Sequence, residues 1–218
     1  LNEQKMIGEA EAFAQAELGQ DHTGHDWWHT WRVRNTAELI AGMEGADRSI
    51  CILAALLHDV ADEKLNPSKE AGLDKVRSWL EERMEDEARL QHIMDIIETM
   101  SFSGGGGRPM ATAEGRCVQD ADRLDALGAI GIARTMVFSG AKGRPVYDPQ
   151  TPPRDETLKQ EYRDYSKGTA INHFYEKLLK LKAMMNTDYG RRLAEERHQF
   201  MLAYLEQFYR EWNQGSEA

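Results

Sequence analysis

The amino-acid sequence predicts an all-α protein, a compact multi-helix bundle with a central buried helix. Apolar residues recur at three- and four-residue intervals along most of the chain, as in Ile50, Leu53, Ala54 and Leu57 and again in Leu90, Ile93, Met94 and Ile97. That is the period of a helix with one face in a core. No stretch alternates apolar with polar residues as a half-buried strand does. Residues that cap helices stand where the period stops.

A first helix is expected over about 2–18, ended by Gly19. Asp26 can cap a second over about 26–41, and Asp47 a third over about 47–60. Asn66-Pro67 interrupts the chain before helices at about 71–84 and 87–101. Thr112 precedes a long segment expected as one helix over about 113–139, and Thr187 precedes a last helix over about 188–212. Between them, about 157–185 reads as helix broken near Gly168. In "LGAIGIA" (127–133), Gly128, Ala129 and Gly131 lie among apolar residues, so this helix is expected to run through the centre with neighbours packed closely on several sides. The two long connections are "SFSGGGGRP" (101–109) and "SGAKGRPVYDPQTPPRD" (139–155). The tetraglycine lacks the Gly-Lys-Ser/Thr of a phosphate-binding P-loop and reads as a helix-to-helix connector.

With 218 residues, one domain over 1–218 is expected, a motif-bearing core at about 20–139 and C-terminal helices at about 157–212 on the same globule. The 27 Lys and Arg against 37 Asp and Glu give a net charge of -10. That argues against a partner such as polymeric nucleic acid, which is held by neutralising phosphates. Cys51 and Cys117 both fall in apolar helical stretches and read as reduced core thiols. No apolar run of about 18 residues and no signal-peptide pattern occurs, so the expectation is a cytoplasmic protein with no membrane partner.

"AALLHDVAD" (54–62) places His58 and Asp59 where a further apolar residue would pack better. Upstream, "GHDWWHTWRV" brings His25, Asp26 and His29 to the start of a helix. Downstream, "CVQDADRLDALGAIGIA" carries Asp120, Asp122 and Asp125 through apolar surroundings. On one continuous helix Asp122 and Asp125 share a stripe with Val118, Ala129, Ile132 and Met136, and inward carboxylates need a counter-charge, a hydrogen-bond network or a metal. His29, His58, Asp59 and Asp122 together offer two imidazole nitrogens and two carboxylates, a set suited to one divalent metal ion among Mg, Mn, Fe, Ni and Zn. Asp26 and His25 read as capping or orienting groups for the His29 helix, and Trp27, Trp28 and Trp31 as packing. "INHFYEKLLKLKAMM" (171–185) sets His173, Lys177 and Lys180 along one face, either a solvated basic edge or a phosphate-binding patch. Arg197 lies in an apolar stripe and is expected to pair with a buried carboxylate.

His29, the His58-Asp59 doublet and Asp122 in "DADRLDA" resemble the H…HD…D pattern of the HD-domain superfamily of metal-dependent phosphohydrolases. That superfamily includes nucleotidases, alarmone hydrolases and cyclic-nucleotide phosphodiesterases. More narrowly, "HDWWHTWRV", "LLHDVADEK", "DADRLDALGAIGI" and "HFYEKLLKLKAMMNT" resemble small single-domain bacterial HD hydrolases, with similarity from about residue 20 to 212. The resemblance implies His29, His58, Asp59 and Asp122 as metal ligands. Several larger HD classes add a histidine for a second metal at the end of the helix that here reads "IIETMSFS"; Met100 and Ser101 stand there, favouring a single ion. The implied activity is hydrolysis of a phosphoester of a nucleotide or other small phosphorylated metabolite by a metal-activated water. Asp62 or Glu63 is the candidate proton acceptor, with helix capping or simple exposure as the alternative. Arg32, Lys64, Arg123, His173 and Lys177 are candidates to meet substrate phosphate. The rival expectation is a regulatory module that binds metal and nucleotide without turnover. Either would work as a monomer or homodimer.

Overall fold

The computed structural model describes residues 3–19, 26–63, 65–100, 110–154 and 168–214, and among these every regular element is helical. The chain divides into two compact units, residues 1–122 and 123–218.

The first unit holds α1 (Glu3–Leu18), α2 (Trp27–Glu44), α3 (Arg48–Leu57), α4 (Lys69–Glu81), α5 (Glu87–Met100) and most of α6 (Ala113–Asp125). α3 is its centre: every residue from Ser49 to Leu57 is buried, and α1, α2 and α5 pack against it. A short helix with no polar face is stable only when covered on all sides. The Asp47 carboxylate fixes its start by accepting hydrogen bonds from the backbone N–H of Ser49 (2.9 Å) and Ile50 (3.1 Å). Burial pushes that carboxyl up, but these bonds and the Arg89 charge outweigh it and hold it below the usual range. α1 supplies Met6, Ala10, Ala14 and Leu18, one residue per turn on one face. Cys51 and Cys117 are free and fully buried. Contact with Cys117, and then burial, push the Cys51 thiol far up, so it stays an inert core group.

In the second unit the end of α6 is followed by α7 (Gly128–Ala141), α8 (Ala170–Glu176), a 3-10 helix (Leu178–Met184) and α9 (Asp188–Trp212). α7 packs on α8 and α9. Gly143, with φ of 68°, ends α7, and the Arg144 N–H returns to Ser139 O at 2.9 Å, a glycine-based C-terminal cap. The following strap, 144–154, is stitched to α8. Ala170 and Ile171 N–H donate to the Pro145 and Val146 carbonyls, both at 3.0 Å, and Asn172 Nδ2 donates to Thr151 O at 2.9 Å. Tyr147 from the strap meets Phe208, Tyr209 and Trp212 of α9 edge-on, at 4.9–5.7 Å between ring centres.

Two expectations are corrected. The segment 113–139 is two helices. Ala126 and Leu127 N–H bond back three residues, to Arg123 O and Leu124 O. Gly128 then takes φ of 70°, where a Cβ would sit 3.1 Å from Arg197 Cγ. Nor does the "LGAIGIA" helix run through the centre: Ile130 is 44 % exposed, because the break resets the register so that Gly128, Gly131, Ile132, Thr135 and Ser139 face inward. The central helix is α3. In addition, α3 stops at Leu57 rather than near 60, and the stretch 170–184 splits at Lys177 (φ −137°) into α-helix and 3-10 helix. The tetraglycine connector and residues 155–167 lie outside the described residues.

Candidate metal centre

Three helix ends of the first unit deliver the site. On α2, the Asp26 carboxylate accepts the His29 backbone N–H at 2.7 Å, so the cap that starts the helix also sets the position of His29, whose residue is 2 % exposed. His58 closes α3, its N–H donating to Ala54 O at 3.0 Å. Its ring Nδ1 lies 2.7 Å from Ala55 O. A carbonyl can only accept, so Nδ1 carries the proton and Nε2 presents its lone pair.

Because the helix ends there, Asp59 enters a turn instead of pointing about 100° around a continuing helix. Asp62 N–H closes the turn onto Asp59 O at 3.0 Å, and Asn66 Nδ2 donates to Val60 O (2.8 Å) and Asp62 O (2.9 Å). α4 presses on the turn from outside, where a Cβ on Gly72 would collide with the Ala61 carbonyl and lie 2.9 Å from Asn66 Nδ2.

The four side chains converge. His29 Nε2 lies 3.4 Å from Asp59 Oδ2 and 3.3 Å from Asp122 Oδ1. His58 Nε2 lies 3.3 Å from Asp59 Oδ1 and 4.0 Å from Asp122 Oδ1. One ligand atom from each of His29, His58 and Asp59 falls within 4.8 Å of the others. The Asp122 side chain is 38 % exposed while the other three are 3–8 %. Burial pushes the Asp122 carboxyl up, but a hydrogen bond from His29 and, when the imidazoles carry a second proton, the charges of His58 and His29 hold it below the usual range. Atoms about 2.1 Å from one ion stand about 3.0 Å apart at right angles and about 3.4 Å apart at a tetrahedral angle, so this donor set can hold a divalent metal ion. Without a cation or shared protons, imidazole lone pairs and carboxylates at these separations would repel.

The family model of the HD domain matches residues 27–127, which contain all four residues. The chain is 38% identical over 209 residues to the Bacillus subtilis protein YpgQ, covering 95% of this chain and 94% of that one. The chain belongs to the HD-domain family. A crystal structure of an HD-superfamily hydrolase from Bacillus thuringiensis is 47% identical, with a TM-score of 0.80 over 97% of this chain and 99% of that chain. The structure of YpgQ in complex with ADP matches with a TM-score of 0.75 at 38% identity, over 94% and 97% of the two chains. The similarity is to HD-superfamily hydrolases.

In this HD-domain protein the other candidate residues fall in both units. Arg32 is half-buried one turn beyond His29; Asp62 is half-buried in the turn after Asp59, and Glu63 is exposed. Lys64 and His25 lie outside the described residues. In the second unit, Arg123 Nη1 donates to Met184 O. His173 and Lys177 are half-buried on and just past α8. Burial, followed by the charges of Lys177 and Arg144, pushes His173 down to about 4, so it is a neutral ring at pH 7. Arg134 pairs with Asp125, Arg197 adds positive charge nearby, and the Arg197 guanidinium donates to Leu124 O. Sequence reasoning passed over the groups that hold the His58-Asp59 turn, Asn66 and Gly72. Asn66 stood beside Pro67 as a mere break, and Gly72 carried no signal beyond being a glycine in a helical pattern.

Proposed function

We propose that this protein is a metal-dependent phosphohydrolase that cleaves a phosphoester of a nucleotide or similar small phosphorylated metabolite, with residues 1–218 acting as one domain. The observation that carries the reading is the convergence of His29, His58, Asp59 and Asp122 on one point. The ADP complex of the relative YpgQ supports a nucleotide-like substrate.

His29, His58, Asp59 and Asp122 would hold one divalent ion. When bound, such an ion acidifies a water and neutralises charge on a phosphoryl oxygen. His58 is held ready by its Nδ1–H bond to Ala55 O, which orients the ring and strengthens Nε2 as a donor of electron density. Asp62 or Glu63 takes the proton released by the attacking water. Arg32, Lys64, Arg123 and Lys177 counter phosphate charge, while His173 serves as a hydrogen-bonding group.

The test is paired measurement of metal content and turnover, with a panel of nucleotides, cyclic dinucleotides, alarmones and sugar phosphates. The wild-type protein should release phosphate or diphosphate from one of these with Mg or Mn, and Asp59→Ala should lose both metal and activity. Replacing the true base among Asp62 and Glu63 by its amide should keep the metal and slow turnover by roughly 10²–10⁴. ADP binding without turnover of any panel member would favour a regulatory module, and chelator-insensitive activity in Asp59→Ala would overturn the metal mechanism.

A further inference from the structure

Asn66-Pro67, a simple interruption by sequence, lies at the far end of the turn that delivers Asp59. There one nitrogen, Asn66 Nδ2, donates to two carbonyls, Val60 O at 2.8 Å and Asp62 O at 2.9 Å. Those carbonyls stand on either side of Ala61, and the Asp62 N–H returns to Asp59 O at 3.0 Å. The path of the chain after Asp59 is therefore tied through a single side chain. Few residue types can make the tie. A primary amide carries two protons on one nitrogen without a charge; a hydroxyl has one proton, an ionised carboxylate none, and lysine or arginine would bring a cation into the turn that carries a metal ligand.

The neighbours of Asn66 keep the amide in place. Pro67 restricts the Asn66 backbone to extended conformations. Ser68 caps α4 by accepting the Ala71 N–H at 3.2 Å, and α4 then passes so close that a Cβ on Gly72 would sit 2.9 Å from Asn66 Nδ2. Val60 and Ala61 are buried, so a carbonyl deprived of the amide is poorly placed to recover its hydrogen bond from water.

We infer that Asn66 is a positioning residue of the metal centre: its amide fixes the turn that aims the Asp59 carboxylate, and so sets how tightly and in what geometry the ion is held. The inference rests on the metal ligands of the proposed function and adds a residue that acts through one of them. His29 and Asp122 lie within helices, and the His58 ring is anchored on Ala55 O at 2.7 Å. Asp59 lies in an irregular turn, so its aim depends on whatever shapes that turn. Its oxygens stand 3.4 Å from His29 Nε2 and 3.3 Å from His58 Nε2, close to the spacing of donors about 2.1 Å from one ion. A turn free to change shape would hold that spacing for only part of the time.

The experiment uses the full chain stripped of metal and needs no substrate. Calorimetric titration reads the affinity for Mn(II), visible absorption of the Co(II)-loaded protein reads ligand geometry, and thermal unfolding of the metal-free protein reads stability. Asn66→Ala should weaken Mn(II) by about 10–100-fold, the usual effect of losing a group that orients a ligand, and should alter the Co(II) bands at saturation. Asn66→Asp keeps the side chain's volume but turns acceptors toward both carbonyls; it should act in the same direction and gives a second reading if the alanine variant does not fold. Asn172→Ala is the matched control. Its Nδ2 also donates to a carbonyl, Thr151 O at 2.9 Å, and it is buried, but it belongs to the second unit. That variant should lower Tm and leave Mn(II) affinity and the Co(II) spectrum unchanged. A folded Asn66 variant with wild-type Mn(II) affinity and an unaltered Co(II) spectrum, or an equal loss of Mn(II) affinity in Asn172→Ala, would overturn the inference. It and the hydrolase reading fail separately. Metal binding with these dependences in a protein that turns over nothing would remove the hydrolase and leave the role of Asn66; chelator-sensitive turnover with wild-type metal affinity and Co(II) spectrum in the Asn66 variants would do the reverse.

Discussion

Glu176 is 5 % exposed and carries a negative charge that the Arg154 fork makes tolerable. Burial pushes its carboxyl up, yet the Arg154 bonds hold it below the usual range. Its stabilising contribution is therefore complete above its unfolded value, near pH 4.5, and is lost as pH falls through the folded value. Glu176→Gln should cost about 3 kcal/mol at neutral pH, as removing one partner of a buried pair does, measured by urea unfolding. His173 acts in the same pH direction for the opposite charge type. It titrates near 6.5 when unfolded and at about 4 when folded, so the unfolded chain takes up a proton in that window. Stability from this residue is complete above pH 6.5 and falls by about 3 kcal/mol as pH drops to 4. In phosphate-free buffer, His173→Gln should flatten that part of the stability profile; an unchanged slope would show that the ring is not buried as described.

Among the elements, the His58-Asp59 turn depends on α4 more than on its own sequence. Gly72→Ala should push the Ala61 carbonyl and the Asn66 amide, lowering both thermal stability and metal affinity. Gly8→Ala is the control: nothing lies within 4 Å of a Cβ there, and alanine in an exposed helix should stabilise by about 0.5–1 kcal/mol. Equal effects from the two substitutions would mean that the close approach at Gly72 is not limiting. Caps were legible in the sequence at Asp26, Asp47, Thr112 and Thr187, because a short polar side chain before an apolar period has one obvious use. The split at 126–127 was not. Its cause, Gly128 against Arg197, is a contact between residues far apart in sequence, and an apolar run rich in Gly and Ala keeps helical spacing whether or not the helix is continuous. The same misread put the central helix at 127–133, although "SICILAALL", apolar on every side, was the better candidate for full burial.

For the whole molecule, the four-residue cluster could be assembled from the sequence because His29, the His58-Asp59 pair and Asp122 each stood out against apolar or helix-start surroundings. The Arg154–Glu176 lock could not: it joins residues 22 apart through an irregular strap with no period to read. Global unfolding should accordingly be acid-sensitive, with the second unit's Glu176 and His173 both losing their contribution below neutrality. The double variant Glu176→Gln/His173→Gln should show a flatter decline from pH 7 to 4 than the wild type in a denaturant series, and an equally steep decline would place the acid lability elsewhere.

Cys51 lies on the helix that ends at His58, and Cys117 on the helix that carries Asp122, both sealed from solvent. A thiol-modifying reagent can therefore reach either sulfur only when these helices separate, and its rate reports the opening equilibrium. The protein thus contains its own gauge of metal occupancy. An ion held by residues of both helices should slow modification in proportion to one plus its concentration over Kd, in a measurement that needs neither a substrate nor knowledge of the reaction. Asp59→Ala should erase that protection; protection that survived it would mean that the ion is held elsewhere.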